Sequence, residues 1–424
     1  MQRIKHLALL IAIGAAATAY AQPPVGDLPE GEGKELLQTV CFACHPAFNI
    51  LGSAGYDTPA EWKAVFGTMV KLPEAQANTI AAYLAQHLPA KNVRKPVLIS
   101  GDVEIEIQEW QAPTLGQRSR DPVEAADGSI WWTGMWASLV GRLDPKTGEM
   151  EEYKLPVSAR PHSIVPAADG SIWYTGNSNG TIGKLDPATG LITQYTTTAS
   201  DPHSAAFHPN GKLYFTAQNS NMLGVLDPAT GELKEVQTEP RPYGIKVAKS
   251  GTLFVAYNGT NKIGAVDPET LAVRYYDIPN TASRIRRLDI ASDGIVWYVN
   301  STQGKVGRLN PATGEIIWEA GGLTENVIPM PVTGHGLVYV MSGFRGYAIQ
   351  AIRLDAKGDV TDSPAIVWNV RKSAPYVPSP VLSGDRLYMI KSNEAVLSCL
   401  DARTGAVLYQ DQRLEGVRGL YASP

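Results

Sequence analysis

From about residue 103 onward, apolar and polar positions alternate in short runs separated by Asp-Gly, Thr-Gly or proline-bearing steps, which predicts many short antiparallel strands. Residues 163–195 show the plan: Ser163-Ile-Val165 leads to Asp169-Gly170, then Ser171-Ile-Trp-Tyr-Thr175, a turn, Thr181-Ile-Gly-Lys-Leu185, an Asp-Pro-x-Thr-Gly turn and Leu191-Ile-Thr-Gln-Tyr195. The turn recurs at Asp144-Pro145, Asp186-Pro187, Asp227-Pro228, Asp267-Pro268 and Asn310-Pro311, every 40 to 43 residues, with looser copies at Leu354-Asp355 and Leu400-Asp401 after 45 and 46 residues. Four short strands at a period near 42 make one propeller blade, so the seven marks predict an all-β propeller over 114–424. A stacked β-solenoid would need shorter repeats.

The period changes before residue 92. Thr58-Pro59-Ala60-Glu61 is a capping-box pattern, after which Trp62, Val65, Phe66 and Met69 recur at helical spacing. A further helix is predicted from about Glu74 to His87, and another leads into Cys41. Three short helices over 22–91 give a small all-α domain whose core is meagre by itself. Residues 92–113 read as a linker rich in proline and charge with one strand, Val103 to Trp110.

The first 21 residues have the form of a secretory signal: Arg3 and Lys5, an apolar stretch from Leu7 to Ala17, and Ala19-Tyr20-Ala21 before a cleavage point after Ala21. A retained anchor helix is the competing reading, disfavoured by the shortness of the run, and no membrane span is expected after cleavage. Losing Arg3 and Lys5 from the 37 basic residues leaves 35 against 41 acidic ones, a charge of about −6 that offers nothing to nucleic acid. With three cysteines there is no disulfide framework, and export without structural disulfides fits a bacterial periplasm. Cys399, inside a strand-like run, is expected to be a buried inert thiol.

The candidate chemistry begins at Cys41-Phe42-Ala43-Cys44-His45. Two thiols three apart can form thioethers to haem vinyl groups, and the next residue, His45, can ligate the iron, so covalent haem c is the expected cofactor. A redox dithiol preceding a histidine is the alternative. Met69 is the only methionine between the signal and Met135, which makes it the favoured sixth ligand. Core packing on a helix face is its competing role, and His87 or an open site remain as alternatives for the iron. A solvated position is the simplest expectation for His87, near a helix end.

The residues Gly31-Glu-Gly-Lys-Glu-Leu36, the haem motif, Gly52-Ser-Ala-Gly-Tyr56, Glu61-Trp62 and Thr68-Met-Val70 resemble the cytochrome c domain of periplasmic proteins that fuse a cytochrome to a virginiamycin B lyase-like propeller. The resemblance spans about residues 30 to 320 and implies a helix-borne methionine as distal ligand. Lyases of this kind often continue the strand Asp-Gly-x-Ile-Trp-Tyr-Thr with a glutamate, and use histidines and magnesium. Here the following positions are Gly134, Gly176, Ala217, Tyr257 and Asn300, so the fold is expected and the streptogramin-type elimination is not.

Propeller chemistry usually sits at the channel mouth, on loops entering the innermost strands. Arg120-Asp121, Arg160-Pro161-His162, Asp201-Pro202-His203, Arg241-Pro242-Tyr243 and Arg284-Ile-Arg-Arg287 fall at matching points of five repeats. From these, Arg120, Arg160, His162, His203, Arg241 and Arg287 are predicted to form a mouth for an anionic or polar small molecule. Solvation of separate loops is the alternative.

From about residue 318 the text changes. Gly322-Leu-Thr-Glu-Asn-Val-Ile328, Met341-Ser-Gly-Phe-Arg-Gly346 and Pro375-Tyr-Val-Pro-Ser-Pro380 resemble pyrroloquinoline-quinone-dehydrogenase-like propeller repeats. The vicinal cysteine pair of the true quinone enzymes is absent, so quinone binding does not follow. Seven blades are expected to be complete by Ala406 to Arg413, leaving Val103 to Trp110 and Gly419 to Ser423 as surplus strands; a truncated eight-bladed ring is the alternative. The function expected from all this is periplasmic haem c electron transfer, with a redox partner and a propeller that binds a substrate, making an oxidoreductase possible. A non-catalytic scaffold with a cytochrome module is the alternative, and a lyase is a distant one.

Overall fold

Each Asp-Gly step closes a turn through its own side chains. In the computed structural model, Asp169 Oδ1 accepts from Ser171 N (2.9 Å) and Ser171 Oγ (2.5 Å), while Ser171 Oγ accepts from Trp173 Nε1 at 3.0 Å. Asp127, Ser129 and Trp131 repeat the arrangement one blade earlier. Thus three residues of local sequence fix both the turn and the indole that follows it. At the next turn Asp186 accepts from Ala188 N and Thr189 Oγ1, both at 2.9 Å, and Gly190 takes φ 72°. The fourth repeat has Leu271 in that place, at φ 61° yet 3% exposed. A side chain in this left-handed region is strained, and burial of the leucine offsets the cost.

The structure describes residues 28–43, 50, 56–88, 110–391 and 396–414. Two compact units divide the chain: Met1–Trp62 with Leu72–Ala90, and Lys63–Lys71 with Lys91–Pro424. Among the described residues the second unit holds seven sheets, each built on four antiparallel strands in sequence order. The first strands of successive sheets, Ser119–Glu124, Pro161–Pro166, Pro202–Phe207, Pro242–Val247 and Ile285–Ile290, lie side by side, as do Val332–Gly334 and Val381–Ser383. This places the first strands innermost, and the unit is a β-propeller whose blade count agrees with the seven turn marks. Its last blade ends on Val407–Arg413, where the sequence predicted completion. The expected strand at 103–109 and that at 419–423 lie outside the described residues.

Apolar side chains fill the spaces between blades. Trp131, Val140, Ile164, Ile172 and Tyr174 join blades one and two; Trp173, Ile182, Leu213, Phe215 and Leu226 join two and three. Cys399 is fully buried with Tyr388, Ile390 and Leu397, and burial raises its pKa, as befits an inert thiol. Within a blade the third strand carries a glycine directly opposite an aromatic residue of the second: Trp132–Gly141, Tyr174–Gly183, Phe215–Gly224 and Tyr298–Gly307. A Cβ on Gly183 would lie 2.0 Å from the Tyr174 ring, so the ring lies across the strand where only glycine leaves room.

One strand leaves its blade. Gly358–Asp359, between the third and fourth strands of blade six, pairs in parallel with the outer strand of blade five, Ile316–Ala320, through Trp318↔Gly358 and Glu319↔Asp359. Lys305 Nζ lies 3.4 Å from both the Glu319 and the Asp359 carboxylates, tying the strap to the blade it covers.

The helical expectations hold among the described residues. Helix α1 spans Lys34–Cys41, α2 Pro59–Gly67 and α3 Glu74–His87. Glu61 Oε2 accepts from Thr58 N at 2.9 Å and Glu61 N donates to Thr58 Oγ1 at 3.2 Å, forming the predicted capping box. Leu37 of α1 is buried, as are Ile80, Tyr83 and Leu84 of α3. The His87 ring packs on Tyr83 with centroids 4.5 Å apart and its Nε2 is buried, so the expectation of a solvated histidine is corrected. Residues 1–27, with the signal, lie outside the described residues.

Candidate functional site at the propeller mouth

In the first five blades the innermost strand begins with a pair to the end of the second strand: Ser119↔Gly134, Pro161↔Gly176, Pro202↔Ala217, Pro242↔Tyr257 and Ile285↔Asn300. In blades two to five the register slips just beyond this pair, and in blade one a step later, beyond Arg120↔Thr133, which marks a bulge in each. A bulge re-aims the side chains beside it. The residue one past the pair is Arg120, His162, His203, Tyr243 and Arg286 in turn. The residue one before is Arg118, Arg160, Asp201, Arg241 and Arg284. Arg120 is therefore the counterpart of His162, and the counterpart of Arg160 is Arg118; both pairs are 42 residues apart, as are Asp144 and Asp186, so matching Arg120 to Arg160 by residue type is two residues out of step.

The inner set forms a continuous chain of contacts. Arg120 Nη1 lies 2.6 Å from His162 Nε2, the His162 and His203 rings have centroids 3.7 Å apart, and His203 and Tyr243 follow at 4.2 Å. Arg286 and Arg287 both stand over the Tyr243 ring, at 5.3 and 5.4 Å, and Arg286 Nη2 donates to Tyr243 OH at 3.2 Å. Arg286 Nη1 continues to Asn326 Oδ1 (2.5 Å), and Asn326 Nδ2 to Tyr376 OH (2.9 Å). Threonines on the second strands hold the set from behind: Thr175 Oγ1 accepts from Ser163 N and donates to His203 O, and Thr216 Oγ1 donates to Tyr243 O.

The electrostatics follow from burial. His162 and His203 are each 4% exposed. Burial first, then the neighbouring His203 and the guanidinium groups, depress the His162 pKa far below its ordinary range. Burial, followed by Arg287, Arg120, Arg286 and Arg241, brings His203 down to about 3. Both rings are thus neutral at pH 7. Asp121, held at φ 44° within the first bulge, faces His162 Nδ1 at 4.0 Å. Burial raises its pKa, opposed by Arg287 and Arg120. Arg287 makes no hydrogen bond or ion pair among the described residues, so three guanidinium groups meet a single carboxylate here.

Four of the six predicted mouth residues, Arg120, His162, His203 and Arg287, come together. Arg160 and Arg241 do not enter the buried chain: both are exposed, at φ 41° and 59°, because they stand before the bulge and point out to the rim. Missing from the predicted set were Asp121, Tyr243, Arg286, Asn326 and Tyr376. Tyr243 could have been found, since it follows Pro242 as His162 and His203 follow Pro161 and Pro202; Asn326 and Tyr376 lie on loops with no repeat to flag them. The lyase positions 134, 176, 217, 257 and 300 do reach the mouth and carry no carboxylate. No cluster of three or more histidine, cysteine, aspartate or glutamate side chains that could hold a metal occurs among the described residues.

Of the haem motif, Cys41 ends α1, while Cys44 and His45 lie outside the described residues. Met69 follows α2, its N bonded to Phe66 O, and is 38% exposed. Phe42, next to Cys41, is similarly exposed. Neither Phe42 nor Met69 is thus packed into a core.

The fold and mouth define a β-propeller with a cationic, histidine-bearing entrance. Residues 282–422 match the family described as Outer membrane protein assembly factor BamB. That stretch starts with blade five, earlier than the change at about 318 read from the sequence. The solved structure of a catalytically inactive virginiamycin B lyase from Staphylococcus aureus with quinupristin is similar, with 21% identity and a TM-score of 0.50, over 67% of this chain and 92% of that one. A streptogramin B lyase structure shares 22% identity over 64% of this chain and 90% of that chain, with a TM-score of 0.49. No curated protein sequence matches the chain. Among the described residues no helix is long and apolar enough to cross a membrane.

Proposed function

We propose that the chain is a periplasmic haem c electron-transfer protein whose propeller mouth binds a small anion, exchanging electrons with a periplasmic redox partner. The observation that carries the binding half is Arg287, a guanidinium without an ion pair beside Arg120 and Arg286 in a mouth where both histidines are neutral. Such an excess of fixed positive charge favours an anionic guest. The haem half rests on the Cys41-Phe-Ala-Cys44-His45 motif, with Met69 as the exposed thioether that would complete the iron's ligands. Bound haem c would supply one-electron exchange. The chain's own part is to hold the group through Cys41 and Cys44 and to keep an anion oriented at the mouth. Exported protein made in a host that matures c-type cytochromes should carry one covalent haem by pyridine haemochrome assay, and none in Cys41→Ala. Met69→Ala should lose the methionine-to-iron charge-transfer band, and an unchanged spectrum would reassign that ligand to His87.

The match of residues 282–422 to an assembly-factor family favours a second reading, in which the propeller docks a protein while the haem exchanges electrons with it. Reduction of the haem by small anions supports the first reading. A stable protein partner retained at high dilution, with no reduction by small molecules, supports the second. Streptogramin B should stay intact with magnesium present, since positions 134, 176, 217, 257 and 300 offer no base.

A further inference from the structure

We infer that the anion taken at the mouth is a 2-hydroxycarboxylate, its carboxylate facing Arg287 and its hydroxyl seated between His162 and Asp121. The inference rests on the anion-binding reading above. Arginine has no acceptor, so in the 2.6 Å contact with Arg120 it is His162 Nε2 that accepts. The neutral ring then carries its proton on Nδ1, which makes no hydrogen bond to protein although it is buried. Asp121 Oδ2, an acceptor when ionised, is 4.0 Å away. That separation is too long for a direct bond but suits a bridging oxygen, which about 2.8 Å from each atom would accept from one and donate to the other once the two side chains part to admit it. A hydroxyl does both, and a plain carboxylate cannot. The bulge supplies independent support, because Asp121 is held at φ 44° in the left-handed region, a strained conformation of the kind found where a carboxylate is positioned for use. Arg287 stands over the Tyr243 ring, which packs on His203 and through it on His162, and both Arg287 and Arg120 bear on Asp121, so the carboxylate and hydroxyl subsites share one mouth, as the two groups share one 2-hydroxy acid.

Calorimetric titration of the full-length holoprotein with glycolate and with acetate tests this. Glycolate should bind at least about tenfold more tightly, as expected when a buried donor and acceptor are left unpaired by the analogue. Asp121→Asn should bring the ratio close to one while leaving acetate binding within about threefold, since asparagine also tolerates the left-handed backbone. His162→Phe, checked for native circular dichroism, should do the same. Arg287→Gln should weaken both ligands. Equal binding of glycolate and acetate by the wild type would overturn the hydroxyl subsite, meaning a water bridges the two groups, and leave the anion site standing. Binding of neither ligand would overturn both readings.

Discussion

Blades one to five and blades six and seven solve the same problem differently. In the first group the innermost strand is six residues long and bulged, and the bulge itself aims Arg120, His162, His203, Tyr243 and Arg286 into the mouth. In the second, the innermost strands are three residues each, without a slip in register, and the mouth is completed from loops through Asn326 and Tyr376. The interior differs in step. Where four of the first five blades set glycine against an aromatic ring and blade four sets it against Val255, the second group pairs Tyr339 with Ala351 and Tyr388 with Cys399. Strand-built geometry repeats and is rigid; loop-built geometry is free to differ from blade to blade.

The largest expected effect lies in the strand-built half. His203 has its pKa lowered to about 3 and His162 lower still, so each contributes stability that is present above the unfolded pKa near 6.5 and is lost as pH falls toward the folded value. Acidification from pH 7 to pH 4 should lower stability on the order of a few kcal/mol. Melting curves of a His162→Asn, His203→Asn double variant should be much flatter over that range, and an equally steep curve would place the acid sensitivity elsewhere.

Gly183→Ala should cost about 1–3 kcal/mol, because the Tyr174 ring must move. The reverse change in the loop-built half, Ala351→Gly, should also destabilise, by about 1 kcal/mol. Chemical denaturation of both variants checks the contrast; a harmless Gly183→Ala would mean that the ring has room to turn.

Asp121 carries the opposite sign to the histidines. Its raised pKa means that its contribution to stability is greatest below the unfolded carboxylate pKa and is lost as pH rises through the folded value. Asp121→Asn should therefore melt slightly higher than wild type at pH 7, the gain vanishing in acid. The smallest effect is expected at Leu271, where glycine would relieve the left-handed backbone but forfeit the buried side chain. Leu271→Gly should lose about 1 kcal/mol, and a gain in stability would show that strain outweighs burial there.

What the sequence made legible was whatever repeats. The five Asp-Pro or Asn-Pro marks and the copy at Asp401 were legible because each such turn is closed by its own side chain, and Thr58 to Glu61 gave a helix start for the same reason; only the mark at Asp355, which bonds Arg353 instead, lacks that closure. The Pro-His steps pointed to the mouth. Matching by residue type failed where spacing would have served: Arg120, His162, His203, Tyr243 and Arg286 each lie 24 residues before the Asp-Pro or Asn-Pro mark of their blade, while Arg160 and Arg241, at 26, stay on the rim. Asn326 and Tyr376 were out of reach, since Arg286 meets Asn326 across 40 residues and Asn326 meets Tyr376 across 50, and neither contact belongs to a period. The two-residue strap at Gly358–Asp359 has no alternation to read.

That strap also orders events in time. Blade five can fold its four strands as soon as Ala320 is available, but its outer edge stays open until residue 359 has followed. As the chain emerges from one end, a lone blade edge would thus be exposed for nearly the length of another blade, an interval in which pairing with a second chain competes with the native strand. A protein assembled from one end would be most vulnerable not at its last blade but at this one, just before its neighbour arrives to seal it.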